Sequence, residues 1–89
     1  MATAETAANR LRRLSMRSWR RGMKEMDLIL GRFADARLAA LGESELAAYE
    51  ALLGENDQDL YLWVSGGAPT PAHHESIVGI IAGFHGIQR

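Results

Sequence analysis

An all-α fold, a compact five-helix bundle in a single small domain, is the architecture this sequence predicts. Apolar residues recur at helical spacing in several segments, β-branched residues are too scattered to make strands, and a glycine stands wherever one periodic segment stops. Eighty-nine residues suffice for one domain with a modest core. That domain is expected to take in residues 1–89, with 1–8 the stretch open to disorder.

The first helix is expected from about Ala4 to Arg20, with Leu11, Leu14 and Ser18 on one stripe and arginines around it. Gly22 then marks a break, since glycine inside a helix costs about 1 kcal/mol relative to alanine. The second helix is expected from about Met23 to Leu41. Met26, Ile29, Leu30, Phe33, Ala36 and Ala40 follow the i, i+3, i+4, i+7 spacing of a buried stripe. Gly42 is placed for a left-handed C-terminal cap, after which Ser44 caps a third helix through Leu53 that buries Leu46, Tyr49, Leu52 and Leu53.

Asn56, followed three residues later by Asp59, signals the start of a short fourth helix. Leu60, Trp63 and Val64 point inward there, and Gly66-Gly67 stops it. Thr70-Pro71 predicts a cap with proline at the first helical position. The last helix places Ile77, Ile80, Ile81 and Phe84 on one face, while Gly79, Gly83 and Gly86 leave its end open.

The inventory of reactive groups is thin. There is no cysteine, hence no disulfide, thiolate ligand or thiol nucleophile. The histidines are His73, His74 and His85. On an α-helix the adjacent His73 and His74 diverge by about 100°, which is poor for chelation, so they read as solvated polar residues and no metal site is expected. Gly66-Gly67 lacks the lysine of a phosphate-binding loop. These features point to a binder and not to an enzyme.

Net charge is −1, but residues 1–37 carry nine Arg and Lys against four acids while residues 38–89 carry one arginine against seven acids. This asymmetry suits a partner surface or self-association. Arg10, Arg12, Arg13, Arg17, Arg20 and Arg21 also admit the alternative of a small nucleic-acid-associated regulator using a basic first helix. Against it, these arginines wrap around the helix and no aromatic platform beyond Trp19 accompanies them. The same segment, Ala7 to Arg21, has the Arg-rich, acid-poor look of a mitochondrial presequence, but a bacterial cytoplasmic protein is the simpler expectation. No apolar run approaches the roughly 20 residues of a membrane span, so no direct membrane insertion is expected.

The most unusual local text is Arg20-Arg21-Gly22-Met23-Lys24-Glu25-Met26-Asp27. Opposite charges around a glycine make a polar patch that a partner can approach closely. On spacing alone, an ordinary i, i+4 pair between Arg21 and Glu25 beside a helix break is the plainer reading. Further on, Asp57, Asp59 and Tyr61 suit either a contact surface or the capping of the fourth helix, with Trp63 in the core.

The segment Arg20-Arg21-Gly22-Met23-x-Glu25-x-Asp27 resembles the Arg-Gly-x-x-Glu signature of the flavinator family, the succinate dehydrogenase assembly factors. Leu52-Leu53 and Asn56-Asp57-Gln58-Asp59-Leu60-Tyr61-x-Trp63 are similar to that family's downstream segment, in the same order and separation, and Phe33 falls about where the family carries an aromatic. The likeness covers roughly residues 10–85. It implies five helices and no catalysis of the protein's own. It implies a partner, the flavoprotein subunit of succinate dehydrogenase (in some bacteria that of fumarate reductase), and a role in covalent FAD attachment to a histidine of that subunit. By the same resemblance Arg21, Gly22 and Glu25 form the contact surface near the flavin, with Arg20 and Asp27 beside them. Asp57 and Tyr61 are the further candidates. No cofactor is expected to bind tightly, FAD belonging to the partner, and the free protein is expected to be a monomer or weak dimer.

Overall fold

The computed structural model describes residues 5–89, and among them five α-helices and two 3-10 turns form with no strand. Helix α1 (Ala7–Trp19) is capped by Thr6, whose Oγ1 accepts the Asn9 N–H at 3.1 Å. Its expected start at Ala4 lies outside the described residues. The Arg-rich segment that suggested a presequence is thus a packed helix, with Leu14 and Ser18 fully buried.

Helix α2 (Lys24–Arg37) runs antiparallel to α1 along its length and also meets the fourth and fifth helices, so it is the central element. It ends four residues earlier than expected and continues as a 3-10 turn, Leu38–Ala40. Its inward stripe is Met26, Leu30, Phe33, Ala34 and Leu38, whereas Ala36 and Ala40 face solvent. Alanine carries too little apolar weight to reveal which of two neighbouring stripes is buried. Gly31 is also inward: a Cβ there would lie 2.3 Å from the Trp19 ring, which packs flat against this position and donates Nε1–H to Asp35 at 3.2 Å.

Gly42 is not the left-handed cap expected of it. Its backbone is extended (φ −71°, ψ 170°), and it opens α3 (Glu43–Leu52), its N–H donating to Glu45 Oε1 at 3.1 Å. Ser44, the expected cap, lies within the helix and is exposed. Helix α3 buries Leu46, Tyr49 and Leu52, with Leu53 just beyond. Tyr49 OH lies 2.6 Å from Ser18 Oγ and donates to the Leu30 carbonyl at 3.3 Å, so α1, α2 and α3 meet at one buried hydroxyl pair. Burial pushes the phenol up to about 12, against the opposing pull of the Ser18 hydrogen bond and the Arg21 charge.

Helix α4 (Asp57–Ser65) begins as expected, with Asn56 Oδ1 accepting the Asp59 N–H at 2.9 Å, and ends on Gly66 in the left-handed region (φ 84°). Leu60 and Val64 are buried, but Trp63 is only partly so. The Thr70-Pro71 cap does not form. Pro71 precedes a 3-10 turn, Ala72–His74, and the Thr70 hydroxyl accepts from Arg89 Nη2 at 2.8 Å. Helix α5 (Glu75–Phe84) buries Ile77, Val78, Ile81 and Ala82, with Ile80 and Phe84 partly covered. Its end is closed by Gly86 (φ 69°) and by the Ile87 N–H, which donates to the Ala82 carbonyl at 2.9 Å.

Phe33 sits at the middle of the core, edge-on to Phe84 (centroids 5.6 Å apart, 82°) and tilted against Tyr49 (5.6 Å, 34°). Outside it, Arg10 reaches Glu43 and Glu50, and Arg13 reaches Glu5 and Glu50. Part of the basic half is therefore neutralised by acids of α3 and of the N-terminal approach.

Candidate functional site

The α1–α2 turn, residues 20–23, is where the unusual polar text lies, and it is tied down by a residue from the second motif. Arg21 donates Nε–H to Asp57 Oδ1 at 2.7 Å, Nη1–H to the Leu53 carbonyl at 2.8 Å and Nη2–H to the Glu55 carbonyl at 2.7 Å. Its guanidinium thus closes the C-terminus of α3 and the loop leading to α4, where helix carbonyls lack partners of their own. The other oxygen of Asp57 accepts the N–H groups of Gly22 (2.6 Å) and Met23 (3.0 Å). Asp27 Oδ1 accepts the Arg21 N–H at 2.6 Å from the first turn of α2.

Burial alone pushes the Asp57 carboxyl up. The Arg21 guanidinium and the two turn N–H groups outweigh this and hold it below its ordinary range. The arrangement explains the sequence locally. An arginine fork is needed to span one carboxylate and two carbonyls, and a carboxylate at the first position of α4 can face both the fork and the turn amides.

Arg21 and Asp57 are each only about a tenth exposed (11% and 13% of the side chain), and Asp27 is partly buried. Arg20, Gly22 and Glu25 face solvent. Tyr61, one helical turn after Asp57 on α4, is exposed together with Leu62. Arg21 pairs with Asp57 and not with Glu25, so the expected i, i+4 pair is replaced by a bond across 36 residues. Gly22 is not left-handed. Positive φ is confined to Gly66 and Gly86 among the described residues, and a Cβ at Gly22 would meet Asp57 Oδ2 at an ordinary 3.4 Å. What matters at Gly22 is its amide and its open surface.

The histidines also depart from expectation. His74 is buried and donates Nε2–H to Glu55 Oε2 at 2.7 Å, and His85 donates Nε2–H to the Ile29 carbonyl at 2.7 Å. His73 and His74 lie in a 3-10 turn, not an α-helix, and their rings approach to 3.9 Å between centroids. The divergence inferred from α-helical geometry does not hold. Glu55, absent from the sequence-based candidates, lies within reach of both. The proximity of Glu55 to these histidines arises from loop packing across 19 residues and leaves no periodic signal.

Fold and site together define a small helical domain in which two polar motifs, far apart in sequence, meet at one interhelical turn. The family model described as "Flavinator of succinate dehydrogenase" matches residues 12–85, and the chain belongs to that family. It is similar to "Succinate dehydrogenase assembly factor 2, mitochondrial" of the yeast Meyerozyma guilliermondii, 43% identical over 63 residues, 71% of this chain and 47% of the relative. It is similar to the protein of the same name from Drosophila grimshawi, 40% identical over 74 residues, 81% of this chain and 50% of the relative. The Aspergillus terreus protein of that name is 44% identical over 63 residues, 67% of this chain and 21% of the relative. The chain therefore spans about half or less of the length of these relatives. All three are named mitochondrial and come from fungi and a fly, which overturns the expectation of a bacterial cytoplasmic protein. No helix of the described residues is long and apolar enough to cross a membrane.

Proposed function

We propose that this chain is a non-catalytic assembly factor that binds the flavoprotein subunit of succinate dehydrogenase and promotes covalent attachment of FAD there. The observation that carries the reading is the junction of the two family motifs at the α1–α2 turn. Arg21, Asp27 and Asp57 fix the backbone of the turn, and Arg20, Gly22, Glu25 and Tyr61 offer an open polar and aromatic face around it. Such a face is held before binding, so little ordering entropy opposes association.

Binding energy from this face goes into positioning. Forming a bond between a flavin methyl carbon and an imidazole nitrogen needs the two held within contact distance, and orientation of that kind lowers the barrier without any catalytic group on the assembly factor. Glu25, at the first turn of α2, and Arg20, at the end of α1, present opposite charges on either side of Gly22. A polar partner surface can therefore be read in register. FAD is handled as the partner's group, with the assembly factor acting on the protein that surrounds it.

The test is reconstitution. Apo-flavoprotein subunit is incubated with FAD, with and without this chain, and covalent flavin is read by in-gel fluorescence. Faster or more complete labelling with the chain present supports the reading, and equal labelling overturns it. Capture of the flavoprotein subunit by the immobilised chain tests the partner separately.

A further inference from the structure

We propose that Glu55, His73 and His74 form a binding site for a divalent transition metal of the zinc class, joining the α3–α4 loop to the 3-10 turn before α5. One donor atom from each of the three lies within 4.8 Å of the other two. His74 Nε2 already donates a hydrogen bond to Glu55 Oε2 at 2.7 Å, and a metal ion would take the place of that hydrogen between the two atoms. Zinc at about 2.0–2.1 Å from tetrahedral N and O ligands sets them roughly 3.3 Å apart. The required movement is therefore a small opening of the His74–Glu55 pair and a swing of the exposed His73 ring.

The supporting structure is that of a held site. His74 has 3% of its side chain exposed, and its ring lies against Trp63 (centroids 5.6 Å, 33°), which fixes the ring plane. The Glu55 N–H donates to the Leu52 carbonyl at 3.0 Å, and its own carbonyl accepts from Arg21 at 2.7 Å, so the backbone under the carboxylate is anchored while the carboxylate meets His74. Two imidazoles and one carboxylate are a donor set suited to zinc, nickel or copper and poorly suited to calcium or magnesium, which favour all-oxygen shells. Three protein ligands leave one position to water.

Because Glu55 also carries the carbonyl held by Arg21, the ion would brace the loop to which the signature turn is tied. Its binding then stabilises the folded chain by mass action, and this consequence does not depend on which partner the chain serves.

Untagged protein is stripped with a chelator, exchanged into metal-free buffer at neutral pH and titrated with zinc sulfate by calorimetry, with thermal melts in parallel. The expected result is one equivalent bound at micromolar affinity or tighter and a melting temperature raised by several degrees in excess zinc. His73→Ala, at an exposed position, is expected to melt normally without zinc, to bind at least about tenfold more weakly and to lose the rise. Glu55→Gln is expected to behave likewise. No saturable binding, or binding unchanged by His73→Ala, overturns the site and leaves His74–Glu55 as a hydrogen-bonded pair only.

Discussion

Replacing Arg21 with alanine removes three side-chain hydrogen bonds, to Asp57 and to the carbonyls of Leu53 and Glu55. Breaking a fully buried ion pair by deleting one partner costs about 3–5 kcal/mol. Here a tenth of each group is exposed, and water can replace part of what is lost, which lowers the expected cost to about 2–4 kcal/mol. A domain of this size has roughly 5–10 kcal/mol in all and loses about 4–8 °C of melting temperature per kcal/mol. The Arg21→Ala protein is therefore expected to melt about 8–32 °C lower. Arg21→Lys keeps the charge but not the planar fork, and is expected to recover less than half of the loss. The decisive measurement is a double-mutant cycle with Asp57→Ala, followed by urea and thermal unfolding under circular dichroism. Coupling of about 1–3 kcal/mol is expected for residues in direct contact. Additivity within about 0.5 kcal/mol, or an Arg21→Ala melt within about 2 °C of the parent, would refute the clamp.

Gly22→Ala is expected to change stability by less than about 0.5 kcal/mol, because the backbone there is not left-handed and the added carbon meets only a van der Waals contact. Gly31→Ala is expected to cost about 1–3 kcal/mol and to shift Trp19 fluorescence, since the ring occupies the space of the new methyl; a parent-like melt with unshifted emission would count against that packing. For Asp57 the folded carboxyl titrates below its ordinary value of 3.8. Its contribution is fully present above that value and is lost as pH falls through the lowered folded one. Thermal melts below about pH 4 should therefore fall more steeply for the parent than for Asp57→Asn, and parallel curves would contradict the linkage.

Much of the fold was legible because apolar periodicity and glycine punctuation are local signals. All five helices were anticipated, as were the Asn56 cap and the burial of Leu46, Tyr49, Leu52 and Leu53. What failed locally was turn chemistry. Gly42 starts a helix where it was expected to end one, and Thr70-Pro71 leads into a 3-10 turn, with the Thr70 hydroxyl accepting from Arg89 instead of capping. At the site, both motifs could be singled out from the text, but their meeting could not. The Arg21–Asp57 bond spans 36 residues, and the approach of Glu55 to His74 spans 19. Contacts of that range come from how the α3–α4 loop and the start of α4 meet the α1–α2 turn and the 3-10 turn before α5, and no spacing rule encodes them. The burial of Arg21 divides the motif into residues that hold the turn and residues that face outward, a division invisible in the string Arg-Arg-Gly.

The outward face of this turn is the surface proposed to engage the flavoprotein subunit. The most direct test is covalent flavin in that subunit, read by in-gel fluorescence, with Gly22→Arg, Glu25→Ala and Tyr61→Ala compared with the parent at equal concentration. All three positions are exposed, so each variant is expected to keep its helical circular dichroism and its melt. Gly22→Arg, standing in the middle of the face, is expected to abolish capture of the subunit and the gain in flavinylation, and the other two to weaken both. Full flavinylation and capture by a well-folded Gly22→Arg protein would contradict the claim.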